Sequence, residues 1–516
     1  MKIIRLLAVL FSVGNVITYS AQTLTLVKDI NPLGSSNPRS LLPFNNKIYF
    51  VANPGTGDKI YSSDGTSSGT QLVGPSVGSG NLYPFIAYNN TFFFNYDDGI
   101  NGAELWKSDG TTSGTVLVKD VLPGSSGSNP QYLAGVNGKV FFISGTKLWA
   151  SDGTSSGTLQ LTDNNMIAES FNHQLVLPSY NNAVYFAGNN GSPGLWKSDG
   201  SVAGTQLVKN IGVNAYLENV AIYNNEMYFA AGDNTNDYEL WKTNGTTTGT
   251  VLVKNINPVS DSNLTRFLVS NNKIFFLAND GTSGEELWIS DGTSAGTQLV
   301  KDIMPGTSSS NIQTLIAFNN QVYFFALSGS NRLLYKTDGT SVGTILVKTI
   351  PYNVVPYAYV SNDKLYFLAK SLASTYLFES DGTEAGTKQI TPSISSENYS
   401  DINFRNYKSE LYLPCYNGNS GVELNKLTFD SLSAFSTEKS DFKIYPNPAT
   451  DLVWIQNNGL QKDWNYQLLD LSGKVLQEGK LTSNKSSISI GNYPSGIYIL
   501  RLQSDTEDQD FKILKK

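Results

Sequence analysis

The side chains of this chain best suited to chemistry are its carboxylates, the aromatic rings set beside some of them, and one histidine. The stretch ELWKSDGTTSGT, residues 104–115, places Glu104, Trp106 and Asp109 close together. That grouping suits a glycan-binding cleft and a tight hairpin equally well. Carboxylate pairs from among the 43 acids would serve glycoside hydrolysis if two met across a cleft, a meeting that linear spacing does not reveal. The acidic loops NYDDGINGAE (95–104) and ANDGTSGEE (278–286) combine oxygen ligands with glycines but lack EF-hand spacing. Asp97, Asp98 and Asn101 are the calcium candidates, set against a plain hairpin loop. His173 follows Asp163 with no nucleophile in a recognisable motif, so it reads as an ordinary loop or strand residue. One His and one Cys speak against a histidine-based zinc site.

The elements that would position these groups are strands. Of 516 residues, 15% are charged and 40% hydrophobic, with 46 Gly, 28 Tyr and 25 Phe, a composition that favours short strands and turns over helices. A net charge of -7, without a Lys/Arg cluster interleaved with aromatics, makes nucleic acid a poor partner.

The chain is repetitive, and the repeat decides the fold class. The signature [ST][DN]G[TS]xxGT starts at Ser63, Ser108, Ser151, Ser198, Thr243, Ser290, Thr337 and Ser380. A polar pair followed by an apolar strand recurs nine times, from NNKIYF at 45 to KSELYL at 408. Each unit predicts four short strands. The second, as in KIYFVA, is apolar on both faces and should be covered on both; the fourth, as in TVLVKDI, should lie at a wet outer rim. Such units predict an all-β chain built on a β-propeller of eight or nine four-stranded blades over residues 22–430. The opening TLTLVKDI (23–30) is a fourth strand without a blade, and the ninth unit lacks a fourth strand, so the N-terminal strand should close the last blade.

In this frame the opening stretch falls between the third and fourth strands, where a hairpin is required. Asp64, Asp109, Asp152, Asp199, Asn244, Asp291, Asp338 and Asp381 read as structural turn residues, because an Asx-turn accepts Asn in place of Asp and a metal ligand or general acid does not. The Glu of ELW is Glu104, Glu239 and Glu286, but Lys59, Lys147, Gly194 and Leu333 stand there elsewhere, which reads as a surface position. The ring two places on (Tyr61, Trp106, Trp149, Trp196, Trp241, Trp288, Tyr335, Phe378) reads as packing between sheets, with a ligand-stacking platform as the minority reading. Residues 24–427 resemble the ELWxxDGT repeat family of exported bacterial proteins. The placement of the turn is similar to the structural Asp-box of sialidase propellers. The resemblance carries no catalytic residues.

Lys2 and Arg5 before LLAVLFSVGNVI, followed by small residues in TYSAQ, predict a signal peptide over 1–21. No later stretch has the roughly 18 apolar residues of a membrane helix. In an exported chain a single cysteine, Cys415, excludes an internal disulfide and reads as a buried thiol in a strand. Residues 431–441 read as a linker. Residues 442–516, with strands separated by Asn-Pro, Ser-Gly and Pro-Ser-Gly turns, predict a small immunoglobulin-like β-sandwich. This segment resembles the type A C-terminal sorting domain of the type IX secretion system. The matching residues are Tyr445-Pro446-Asn447-Pro448, the DLSGKVL turn with Gly473, and PSGIYILRL with Gly496 and Tyr498. The resemblance implies the outer-membrane type IX machinery and its processing peptidase as partners. It also implies a secreted or cell-surface location, with the body released or joined to lipopolysaccharide.

The reading that follows is a non-enzymatic binding or adhesion propeller with no resident cofactor, calcium being the one candidate, and a glycan or surface protein as ligand. A polysaccharide-degrading glycoside hydrolase or lyase, and a structural surface-layer component, are the alternatives.

Overall fold

The computed structural model describes residues 22–74, 85–163, 177–191, 193–211, 214–233, 238–328, 331–371, 374–391, 404–416, 420–429, 442–457, 464–470, 474–481, 483–504 and 508–516. The signal-peptide segment, His173, Gly473 and the linker over 431–441 lie outside them. The chain divides into two compact units, residues 24–428 and a C-terminal unit from 429. Every regular element described is a strand, and no described helix is long and apolar enough to cross a membrane.

The larger unit consists of nine four-stranded antiparallel sheets in a propeller-like arrangement. Eight are built from consecutive strands, spanning residues 39–73, 86–119, 131–160, 179–210, 214–254, 265–301, 315–350 and 353–389. The ninth joins the strands over 405–429 to Gln22–Lys28, which pairs with Val422–Phe429 at the sheet's outer edge. The N-terminal strand therefore completes the last sheet.

Local chemistry explains each sheet. The first two strands are joined by a two-residue turn whose residues both have left-handed φ, as at Asn45 (44°) and Asn46 (57°) or Asn271 (49°) and Asn272 (57°). A two-residue hairpin with two positive φ values matches strand twist, and Asn is among the few side chains that accept them. The second strand is buried on both faces: Ile48, Tyr49, Phe50 and Val51 are at most 2% exposed. The outer strand alternates, Val116 exposed and Val118 buried.

The third-strand ring always faces a phenylalanine of the second strand: Phe50 opposite Tyr61, Phe142 opposite Trp149, Phe276 opposite Trp288, Phe367 opposite Phe378. Several of these pairs stack, with centroids 5.9 Å apart for Phe50 and Tyr61 and 5.3 Å for Phe367 and Phe378. From the preceding sheet, Lys209 and Lys254 each place their ammonium 5.9 Å from the Trp241 and Trp288 ring centroids. The rings are thus enclosed between neighbouring sheets, where offset aromatic contacts add about 0.5–1.5 kcal/mol per pair to their burial. Cys415 is buried in the strand Glu410–Tyr416, and burial pushes its thiol pKa up.

The C-terminal unit pairs a three-stranded sheet (Phe442–Tyr445, Leu452–Asn457, Lys485–Ser489) with a four-stranded one (Trp464–Leu469, Val475–Leu481, Gly496–Gln503, Asp508–Lys515). Both contribute to one core that includes Phe442, Val453, Ile488, Trp464, Leu500 and Ile513.

Candidate functional site

The repeated hairpins consume their own polar groups. In the first, Asp64 Oδ1 accepts from the Thr66 N–H (2.9 Å) and hydroxyl (2.7 Å). Thr66 Oγ1 accepts from the Gly69 N–H, and the Thr70 hydroxyl donates to the Thr66 carbonyl. The Ser63 and Thr70 hydroxyls share a bond at 2.7 Å. The same net recurs at Asp109, Asp152, Asp199, Asp291, Asp338 and Asp381. At Asn244, Oδ1 accepts from the Thr246 N–H and hydroxyl just as a carboxylate does, so the net needs an oxygen and not a charge. At Asp64 and Asp291 the hydroxyl and N–H of the residue two places on hold the carboxyl pKa low.

The hairpins also join one sheet to the next. Outer-strand lysines donate to the closing threonine carbonyl of the following hairpin: Lys119 to Thr158 (2.9 Å), Lys209 to Thr250 (2.7 Å), Lys254 to Thr297 (2.7 Å) and Lys301 to Thr344 (2.9 Å). Lys28 of the N-terminal strand does the same to Thr70 (2.8 Å), linking the ninth sheet to the first. In five of the eight hairpins the glycine fits beneath a tyrosine of the preceding sheet. Gly292 has φ 88°, and a Cβ there would meet the Tyr228 hydroxyl; Gly65 of the first sheet stands in the same relation to Tyr412 of the ninth. Asp291→Asn should therefore change stability by less than about 0.5 kcal/mol, and Gly292→Ala should cost about 2–3 kcal/mol through strain and clash together. Denaturant melts of the two variants check the contrast.

The Glu of ELW is not a surface position. Glu104, Glu239 and Glu286 are fully buried, as is Glu423 at the equivalent place in the ninth sheet. Each carboxylate binds the loop that leads to the next sheet. Glu104 accepts from Leu122 N (3.1 Å), Ser128 N (2.8 Å) and Ser128 Oγ (2.5 Å). Glu239 accepts from Ile256 N, Asn257 N and Ser262 Oγ, and Glu286 from Ile303 N, Met304 N and Ser310 Oγ. Glu423 accepts from Ile30 N, Asn31 N, and Ser36 N and Oγ. Each of these loops turns N–H groups inward that need such an acceptor.

Burial pushes three of these carboxyls up, the loop donors offsetting only part of it: Glu239 and Glu423 are raised, and Glu286 reaches about 7 from 4.5. A carboxyl raised in the folded state contributes stability that is complete below pH 4.5 and is lost as pH rises through about 7. Asp64 and Asp291 are shifted the other way, downward, and act outside that window. The melting temperature is expected to be higher at pH 5 than at pH 8, which thermal scans at the two values check.

Asp97, Asp98 and Asn101 lie together in one loop, bonded to that loop. Asp97 Oδ1 accepts from Gly99 N, Asp98 Oδ1 from Ile100 N and Asn101 N, and Asp98 Oδ2 from Asn101 Nδ2, all at 2.7–2.8 Å. Burial raises the Asp98 carboxyl, and the Asn101 and Ile100 donors outweigh it, leaving it below the usual value. The described residues contain no group of three or more His, Cys, Asp or Glu arranged to hold a metal.

In the C-terminal unit the Tyr445-Pro446-Asn447-Pro448 segment covers the edge of the last strand. Asn447 donates through Nδ2 to the Lys512 carbonyl (2.6 Å) and accepts at Oδ1 from Leu514 N (2.8 Å). Ala449 continues the pairing with Leu514 O and Lys516 N. The side-chain amide occupies the place of a neighbouring strand, which protects an otherwise open edge. Tyr445 donates to Gln456 Oε1 (3.2 Å) and Tyr498 to the Pro494 carbonyl (2.6 Å); Gly496 has open space where a Cβ would stand. Asn447→Ala should cost about 1–2 kcal/mol and speed amide exchange at Leu514, measurable by hydrogen exchange in the whole chain.

A family model, the secretion system C-terminal sorting domain, matches residues 443–516. This domain supports export by type IX secretion and a secreted or cell-surface location. No curated protein matches. Among solved structures, the chain is similar to PorZ, an essential surface component of the type IX secretion system of Porphyromonas gingivalis, with 14% identity and a TM-score of 0.34, covering 92% of this chain and 75% of that one. A prolyl endopeptidase gives 9% identity and a TM-score of 0.42 over 84% of this chain and 56% of that one. A puromycin-hydrolyzing peptidase of Mycobacterium tuberculosis gives 8% and 0.36 over 76% and 62%.

Proposed function

We propose that this chain is a binding or adhesion module delivered to the cell surface or the medium, its nine sheets carrying ELWxxDGT-type repeats and forming the blades of one closed propeller, and its C-terminal unit an immunoglobulin-like sorting domain for type IX secretion. The observation that carries the binding role is a contrast between the two ends of the sheets. One end bears the two-residue turns and the Asp-Gly-Thr hairpins, repeated with the same hydrogen bonds. The opposite end, by antiparallel alternation, bears the loops between second and third strands, which differ from sheet to sheet: VANPGTGDK, NYDDGINGA and ANDGTSGEE are three of them. A constant end holds a scaffold together, and a variable end suits recognition.

Delivery is tested in a host with type IX secretion by comparing the full chain with one lacking residues 442–516. The full chain is expected in the medium or accessible to protease on intact cells, and the truncated one is expected to stay in the periplasm. Equal export of both would contradict the assignment of that domain.

A further inference from the structure

A cavity of about 300 Å³ lies at the variable end between the fifth and sixth sheets, lined by Ala230, Tyr238, Asp261, Asn263, Leu264 and Thr265. Tyr238 immediately precedes the buried Glu239, and Asp261 and Asn263 belong to the loop that Glu239 binds. The repeat shows what is special here. The residue before the buried Glu is Ala103, Glu285 and Val422 in the second, sixth and ninth sheets, and in two of these its N–H donates to a serine: Glu285 N to Ser309 Oγ (2.9 Å), Val422 N to Ser35 Oγ (3.0 Å). In the fifth sheet Tyr238 N donates to Asp261 Oδ1 (2.8 Å). A serine therefore suffices for the loop. The carboxylate adds a second oxygen, Oδ2, to which no described residue donates.

We propose that this pocket binds one neutral pyranose unit of a glycan, an inference that rests on the binding-module reading and narrows it. The Tyr238 ring offers a flat apolar wall for the face of a sugar, and Asp261 is an acceptor-only group suited to adjacent hydroxyls. The Asn263 amide and the Thr265 hydroxyl supply both donors and acceptors. The volume is at the small end of ligand sites and fits one ring. Asp261, within a chain of net charge -7, disfavours acidic sugars.

The test uses residues 22–516 in native gels containing laminarin, mannan or the anionic polymer alginate, beside the double variant Tyr238→Ala/Asp261→Ser. Both replacements are residues that other sheets carry at these places, and an unchanged melting temperature confirms that the fold is intact. Retardation by laminarin or mannan, weakened on the order of tenfold in the variant, is the expected result. A folded variant that binds neutral glycan as tightly as the parent overturns the pocket and leaves the binding module standing. Retardation by alginate alone overturns the charge argument and the inference with it. A parent chain that no polymer retards overturns both the pocket and a glycan ligand for the module.

Discussion

A chain that begins at residue 29 will lose more than about 4 kcal/mol of stability and will associate with itself. The strand Gln22–Lys28 supplies the outer edge of the ninth sheet, and its removal leaves Val422–Phe429 with a row of unpaired backbone groups. Val27, 3% exposed, leaves the cluster it shares with Leu41, Phe50, Tyr412 and Leu424, and Lys28 no longer reaches Thr70. Losing a buried valine alone costs about 1.5–3 kcal/mol. The larger effect is topological, since this strand brings the last sheet to the first, where Tyr412 and Gly65 meet. Denaturant melts should show a lower midpoint, and sedimentation should show oligomers. A truncated chain that stays monomeric with an unchanged midpoint would show that the strand does not hold the ninth sheet to the first.

Glu239→Ala is expected to cost about 3–5 kcal/mol, an unusual loss for one polar residue. The carboxylate is fully buried, and its removal leaves Ile256 N, Asn257 N and Ser262 Oγ facing a void. Each abandoned donor costs about 1–3 kcal/mol, less whatever water recovers. Glu239→Gln keeps the volume but turns an amide toward donors, so about 2 kcal/mol is expected. Because the loop carries Asp261 and Asn263, Glu239→Ala should also weaken any ligand held at Tyr238, although Glu239 does not line that pocket. Melts of the two variants test the order; equal stability of Glu239→Ala and the parent would contradict the role given to the buried carboxylate.

Much of the fold is legible in the sequence because its determinants are local. The Asn-Asn pairs mark two-residue turns by conformational preference, the Asp-Gly-Thr signature marks a self-satisfying hairpin, and TLTLVKDI stands out as an outer strand without partners. The burial of the glutamates is not legible at the position taken alone, which varies among Glu, Lys, Gly and Leu. The signal lies in a correlation: Glu104, Glu239, Glu286 and Glu423 occur with loops ending in Ser128-Asn129, Ser262-Asn263, Ser310-Asn311 and Ser36-Asn37. Those serines are the donors that reach the carboxylates. The pocket is not legible in the sequence for a different reason. Tyr238 reads as one more strand aromatic and Asp261 as one more loop acid, and only the packing of two sheets brings them to the same cavity.

The most direct test of the binding-module account is to incubate the full chain with a broad set of polysaccharides and measure retention and new reducing ends in the same mixtures. Retention without cleavage is the predicted result. Release of reducing ends by the parent chain would contradict it and show an enzyme on the same scaffold.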